Sequence, residues 1–271
     1  MKDIMYFFEK YNNSKNGDEF YTRLKDIEKE LSKFDFRNKT VYCNCDNPEF
    51  SKFYKYFHDN FNELKLKLLI ATYYDENPMR YEYDGAHETT VEIESGDFRQ
   101  NEETLKRCDI VVTNPPFSAG LPISLVEMCK RNKKDVLFLC KNDWYTRSGA
   151  FEYYKSGFID VDSTEVGTFD GPNSSVHVTC YWYTSLPIKK PCVETLQEYD
   201  IDEYPKYVNY DAIEVKKNTE IPAGYDGVMG VPISFAKYLN RSQFDIVGVL
   251  NTPKGANGKV YFKRLLIRHK K

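Results

Sequence analysis

The stretch Asp109-Ile110-Val111-Val112-Thr113-Asn114-Pro115-Pro116-Phe117 decides the fold class of this chain. Its apolar, β-branched run is typical of a strand that is buried on both faces of a parallel sheet. Two prolines end that strand, because proline fixes its own φ and has no N–H to donate to a sheet. The stretch therefore predicts a buried strand that ends abruptly in a rigid polar corner.

The same order of strand, polar turn and helix recurs along the chain. Strands are predicted over 39–46, 66–74, 108–113 and 135–140, and helices over 51–64 and 122–132. Alternating apolar residues over 174–184 predict an antiparallel strand at the edge of the sheet. Repeated β-turn-α units predict an α/β protein with a mostly parallel sheet and helices on both faces.

The texture of the sequence predicts three regions. Charged residues with apolar positions at helical spacing predict an N-terminal helical segment over 1–38. The β-α rhythm fills 39–187, and after Pro187 short, aromatic, proline-punctuated segments replace it. We therefore expect one α/β domain over 39–187 and a smaller C-terminal region over 188–271.

The composition is that of a folded, water-soluble protein. Of its 271 residues, 41% are apolar and 29% charged, and no apolar run approaches the ~20 residues of a membrane-spanning helix. The first residues do not form a secretory signal, so we expect a cytoplasmic protein. Seven cysteines, an odd number without zinc-site spacing, favour reduced thiols and no metal site.

Positive charge is concentrated at the C-terminal end. Residues 251–271 carry seven Lys and Arg and no acid, a formal +7, whereas the remainder of the chain is −10 within a total of −3. A solvated, positively charged terminal strand is one interpretation. Contact with nucleic-acid phosphates is the other, with Lys263, Arg264 and Arg268 as candidates, and an aromatic content of 15% favours a nucleic-acid partner.

Three polar clusters follow predicted strands, where ligands of open parallel sheets bind. They are Asp46-Asn47-Pro48, Asp97-Phe98 and Asn114-Pro115-Pro116-Phe117. In the third cluster, the Asn114 amide and the Pro115 carbonyl can accept two hydrogens from an exocyclic amino group. Held in this way, an amino nitrogen turns its lone pair toward an electrophile. Phe117 can stack on the heterocyclic base that carries this amino group.

Residues 109–117 resemble the catalytic motif of S-adenosylmethionine-dependent amino-methyltransferases, [DNS]-P-P-[YFW]. Further segments resemble the EcoRI-like family of adenine-specific DNA methyltransferases, namely residues 41–48 with Ser51, Phe53, Tyr56 and Phe57, and residues 204–207, 209–215 and 226–232. The similarity spans about residues 39–268. It implies a Rossmann-like methyltransferase fold with a smaller C-terminal DNA-recognition region.

The resemblance also implies a role for each cluster. Catalysis would fall to Asn114, Pro115, Pro116 and Phe117. The S-adenosylmethionine site would comprise Asp46 and Pro48 at the methionine part, Tyr74 or Asp75 at the ribose, and Asp97 and Phe98 at the adenine. Lys141, Asn142 and Trp144 correspond to the family's segment beside the target base. The turn at Asp46 departs from the glycine-rich D-x-F-x-G-x-G pattern of many methyltransferases.

Structural alternatives exist for several of these residues. Asn114-Pro115-Pro116-Phe117 can be a rigid turn, Asp46 a helix N-cap and Asp97 a turn aspartate. Lys141 and Trp144 can serve packing instead of substrate contact.

The resemblance implies a DNA adenine-N6 methyltransferase that flips its target base out of double-stranded DNA. It would be of the type II modification kind or a phage-borne orphan, in a bacterial or phage-infected cell, with or without a nuclease that shares its site. Two alternatives are an RNA adenine or protein glutamine methyltransferase with the same motif, and a non-catalytic nucleic-acid-binding protein with this fold.

Overall fold

The computed structural model describes residues 21–75, 77–117, 120–170, 175–255 and 258–271, which form two compact units. The first unit runs up to Lys141 and takes in Thr164–Leu186. The second comprises Asn142–Ser163 and Pro187–Lys271. Most of the predicted N-terminal helical segment lies outside the described residues.

An eight-stranded sheet in the order β4-β3-β2-β1-β5-β6-β8-β7 organises the first unit. Its strands are β1 Thr40–Cys43, β2 Leu68–Thr72, β3 Met79–Tyr83, β4 Glu88–Glu92, β5 Ile110–Thr113, β6 Asp135–Lys141, β7 Asp160–Asp170 and β8 Ser175–Thr184. β2, β1, β5 and β6 pair in parallel, and β3-β4 form an antiparallel hairpin against β2. The predicted α/β class with a parallel centre is confirmed.

Helices cover both faces of that sheet. They are α1 Leu24–Leu31, α2 Lys52–Asp59, α3 Phe61–Leu64, α4 Glu102–Arg107 and α5 Leu121–Arg131. α1 and α2 bury Ile27, Leu31, Phe53 and Phe57 in one core cluster with the strand residues that face them. α5 packs on β6, and its buried side chains do not belong to that cluster. Because successive side chains of a strand point to opposite faces, α5 covers the other face of the sheet.

One predicted strand has a different place in the sheet. β8 is antiparallel to β6, as its alternation predicted, but it lies between β6 and β7 and is not at the edge. Its last five residues are all buried, as expected of an interior strand covered on both faces. The edge prediction was wrong because β7, rich in charged and hydroxyl residues, gave no strand signal in the sequence.

The second unit contains a separate four-stranded sheet in the order β11-β12-β10-β9. The strands of this sheet are β9 Ile213–Glu214, β10 Met229–Pro232, β11 Phe244–Leu250 and β12 Arg264–His269. The second unit also contains the helix α6 Ala150–Lys155. β12 is antiparallel to both neighbours, and β10 is parallel to β9. The sequence predicted no sheet here, because two of the four strands are too short to show a period.

Among the described residues, no helix has both the length and the apolar character needed to cross a membrane. The longest described helix, α5, has 11 residues.

Candidate active site

A cavity of about 450 Å³ lies in the first unit, lined by the segments that follow β1, β2 and β5 and by the turn before α4. Its volume falls within the range of small-molecule sites. The sheet order reverses at β1, whose two neighbours are β2 and β5. Ligands of open α/β sheets bind at such a switch point, beyond the carboxyl ends of the strands.

The cavity brings together nine of the residues nominated from the sequence: Asp46, Tyr74, Asp75, Asp97, Phe98, Asn114, Pro115, Pro116 and Phe117. Pro48 is half-buried and is not in the cavity wall, although Asn47 and Phe50 on either side of it are. Segments that are far apart in the chain, from Asp46 to Phe117, therefore meet around one small volume.

Asp46 ties three of these segments together through its carboxylate and its backbone N–H. It accepts hydrogen bonds from the hydroxyls of Ser51 at 2.6 Å and Thr113 at 2.9 Å, and the Asp46 N–H donates to the Thr72 carbonyl. Thr113 directly precedes Asn114, so Asp46 links the turn after β1 to the predicted catalytic motif. Burial raises the pKa of Asp46 to about 6, despite the hydrogen bonds that favour the charged form.

Ser51, and not Asp46, is the N-cap of α2. Its hydroxyl accepts from the N–H groups of Phe53 and Tyr54 while donating to Asp46. The helix-cap alternative for Asp46 is therefore wrong as stated. Asp46 instead fixes the residue that caps the helix, and so orients the N-terminus of α2 at the cavity wall.

Asp97 combines a structural role with its position in the cavity. Its side chain caps the 3-10 turn Phe98–Gln100 by accepting from the Arg99 N–H, and it forms a two-pronged ion pair with the Arg99 guanidinium. The turn-aspartate alternative is thus observed, and a carboxylate retains acceptor capacity beyond these bonds. Gly96 permits the turn, because a β-carbon there would overlap the carbonyl of Tyr73 in the segment after β2.

The predicted catalytic corner follows β5 as the sequence indicated. Pro115 is buried, Asn114 is half-buried and both line the cavity. Phe117 lines the cavity as well, and its ring also packs against the main core cluster of the first unit. A ring supported by the core in this way presents a firm apolar surface to the cavity.

Asn44 is a cavity residue that the sequence reasoning missed. It follows β1, is 1% exposed, and neither its amide oxygen nor its amide nitrogen has a hydrogen-bond partner among the described residues. A buried amide without partners costs free energy unless a ligand or water satisfies it. The signal in the sequence was a polar residue directly after the buried run Val41-Tyr42-Cys43.

Other nominated residues are engaged elsewhere. Lys141 is half-buried and outside the cavity wall, and its carbonyl accepts from the Tyr183 hydroxyl. In the second unit, Asn142 is half-buried and Trp144 is 1% exposed, which favours packing for the indole ring. Substrate contact by these three residues stays a prediction.

The basic candidates of the C-terminal end differ from one another. Arg264 pairs with the buried Glu214 at 3.2 Å, and Lys263 pairs with Asp143 at 3.8 Å and donates to the Thr146 hydroxyl. Arg268 is exposed. Internal pairing leaves Arg268 as the strongest of the three candidates for a phosphate contact.

Comparison with known proteins relates this chain to one family. The sequence model described as "Adenine-specific methyltransferase EcoRI" matches residues 7–95 and 134–270, and the Asn114-Pro115-Pro116-Phe117 motif lies between the two matched segments.

Three curated relatives match nearly the whole chain. The type II methyltransferase M.EcoRI of Escherichia coli is 36% identical over 94% of this chain and 94% of its own length. M.MgeORF184P of Mycoplasma genitalium is 34% identical over 92% and 88%, and M.MpnI of Mycoplasma pneumoniae is 32% identical over 92% and 87%. Together with the matched segments, these similarities show that the chain belongs to the EcoRI family of adenine-specific methyltransferases.

Proposed function

We propose that this protein is a site-specific DNA methyltransferase that transfers a methyl group from S-adenosylmethionine to N6 of an adenine flipped out of double-stranded DNA. Family membership supports the reaction class and the adenine target. The observation that carries the proposal is the cavity at the β1 switch point, where Asn114, Pro115 and Phe117 lie together with Asp46 and Asp97. In bacteria, such an enzyme would act in the cytoplasm, with or without a nuclease that recognises the same site.

The cavity residues fit S-adenosylmethionine. The unpartnered amide of Asn44 offers a buried donor and acceptor, Asp46 and Asp97 offer carboxylates, and Phe98 and Tyr74 offer ring surfaces. We infer that Asn44 and Asp46 hold the methionine end, that Tyr74 or Asp75 meets the ribose, and that Asp97 and Phe98 receive the adenine. When bound, this cofactor supplies a methyl group activated by a positively charged sulfur.

The residues of the chain would act on the target adenine. The side-chain oxygen of Asn114 and the carbonyl of Pro115 accept the two N6 hydrogens, so that the nitrogen lone pair leaves the ring plane and points toward the methyl carbon. Bound S-adenosylmethionine would supply the methyl group, and the electrons of the broken C–S bond would stay with its sulfur. Positive charge would develop at N6, where the Asn114 oxygen and the Pro115 carbonyl would stabilise it until one N6 proton passes to water. Phe117 stacks on the extruded base.

Asn114→Ala tests this assignment. Loss of one positioned polar group should lower the methylation rate on duplex DNA by at least ~100-fold. Cofactor affinity, measured by calorimetry, should change little, because the Asp46 network does not use the Asn114 side chain.

Asn62→Ala, in the exposed part of α3, is the matched control and should keep full activity. Tritium transfer from labelled S-adenosylmethionine to duplex DNA, RNA and protein in parallel tests the substrate class. Transfer to RNA or protein alone would contradict the proposal, and so would near-normal turnover of Asn114→Ala on DNA.

A further inference from the structure

The second unit carries a small three-stranded patch beside its four-stranded sheet. Tyr207 pairs with Gly255 and Lys254 pairs with Val260, both in antiparallel bridges. The Val208 N–H donates to the Lys254 carbonyl at 2.9 Å. Tyr261 and Gly255 donate to the carbonyls of Pro253 and Lys259 in the same register.

This pairing sorts the side chains between two faces. In antiparallel pairs, directly opposite residues share a face, and so do residues two apart along a strand. The pairing places Val208, Lys254 and Val260 on one face. With Tyr210, Thr252 and Phe262, which lie two positions from them along the chain, they are here called the hairpin face. All six side chains on it are exposed, and Phe262 is 64%, Val208 63% and Val260 53% exposed.

The opposite face is anchored in the unit. Tyr207 packs with Ala212 and Leu266 in a buried cluster, and Pro253 and Gly255 are buried. Gly230 lies so close that a β-carbon there would come within 2.6 Å of the Tyr207 ring. The hairpin face is therefore held on a packed support and does not depend on a partner to form.

A cluster of exposed apolar side chains marks an interaction surface. Lys254 lies at its centre, opposite both Val208 and Val260. The ion pairs that the described residues form in the C-terminal tail involve Lys263, Arg264 and Lys270, and none involves Lys254. Residues 251–271 contain no acid. Lysine is depleted at the centre of protein–protein interfaces, whereas apolar and aromatic side chains flanked by cations are used against DNA grooves.

We propose that the hairpin face is a duplex-DNA contact surface, on which Lys254 meets a phosphate while Phe262 and Val260 press against bases or sugars in a groove. The proposal rests on the proposed DNA substrate and deepens it. It adds a contact to the three residues that the charge pattern nominated, Lys263, Arg264 and Arg268, of which Lys263 and Arg264 are paired internally.

Two substitutions, each with a matched control, test the charge and the aromatic ring of the hairpin face. With a short fluorescein-labelled duplex, Lys254→Ala should reduce the magnitude of the slope of log affinity against log salt by about 0.9. Lys25→Ala removes an exposed charge from α1 in the first unit and should leave the slope unchanged.

Phe262→Ser should weaken duplex binding by about 10-fold, as for loss of a base–aromatic contact. Tyr238→Ala, at an exposed ring outside the face, should not.

Photocrosslinking reports directly whether position 262 lies next to DNA in the complex, which an affinity measurement does not. A benzophenone side chain at position 262 should form an adduct with linearised plasmid DNA, and the same group at position 238 should not. Unchanged binding by both hairpin variants, or no DNA adduct from position 262, would overturn the inference while leaving methyl transfer intact. A dimer that Phe262→Ser converts to monomer with unaltered DNA affinity would assign the face to a second copy of the chain and also overturn it. Failure of the wild-type protein to methylate the plasmid would instead contradict the proposed function.

Discussion

At the scale of single residues, the raised pKa of Asp46 leads us to expect that folding stability depends on pH in a specific way. Folding raises its pKa from 3.8 to about 6 because the carboxyl is buried. The native state therefore binds more protons than the unfolded state between those pH values, so this group makes stability fall as pH rises through that window. A shift of about two units corresponds to roughly 3 kcal/mol.

Asp46→Asn removes that titration. Relative to wild type, the variant should gain about 2–3 kcal/mol of unfolding free energy between pH 4 and pH 7, whatever constant cost the substitution carries. Urea unfolding of both proteins at the two pH values measures this difference. An equal pH dependence in the two proteins would mean that Asp46 has an ordinary pKa.

The position of Phe117 in the cavity wall leads us to expect that its substitution affects retention of the flipped base more than affinity for DNA. With 2-aminopurine at the target position, the probe should brighten as the wild-type enzyme unstacks it. Phe117→Ala should lower the methylation rate more than duplex affinity, because its ring faces the cavity. Since the ring also packs on the core, thermal unfolding is the control. Equal losses of rate, affinity and stability would assign Phe117 to packing alone.

At the scale of elements, the cap of α2 predicts a local loss of stability. Ser51→Ala removes the acceptor for two helix N–H groups and one donor to Asp46, and should cost about 1–2 kcal/mol. Ser32→Ala, at the exposed end of α1, is the matched control and should stay within about 0.5 kcal/mol. Urea unfolding measures the free energy of unfolding of both variants. A similar loss in the two variants would show that the Ser51 cap adds no stability beyond that of an exposed serine.

The ion pair between Arg264 of β12 and Glu214 of β9 indicates that Arg264, nominated from the sequence as a DNA contact, has a structural role. Arg264→Ala leaves Glu214, whose side chain is 3% exposed, as an unpaired buried charge, at a cost of about 3–5 kcal/mol. Adding Glu214→Ala should recover part of that loss. A double variant less stable than the single one would refute the account.

The elements also show how far sequence patterns reach. β1, β2, β5 and β6 were predictable, because buried parallel strands read as apolar runs ended by turn residues. β7 and the sheet of the second unit were not, because polar residues or very short strands hide the alternation. The position of β8 depends on pairing with β7, and pairing between distant segments leaves no local signal.

At the scale of the whole molecule, the site follows from topology more than from motif. The sequence nominated residues at three strand ends, and the parallel order of β2, β1 and β5 brings nine of them around one cavity. Thr113 was missed because its role comes from a contact with a distant segment, the hydrogen bond to Asp46. Asn44 and Ser51 were missed because polar residues in a turn after a strand give no specific signal. Their residue types alone are common in turns and caps.

The distribution of charge over the molecule gives a last prediction. The chain as a whole is −3, so its attraction to DNA must come from local groups, and the tail of +7 is the obvious source. Within that tail, Lys263 and Arg264 are paired with carboxylates, whereas Arg268 is exposed. Neutralising all three residues should therefore change the salt slope of duplex binding by about 0.9, the value for one phosphate contact. Arg268→Ala alone should give the same change, with binding weakened about equally on every sequence. A triple variant whose slope falls by two or more would mean that both internal pairs open onto phosphates when DNA binds.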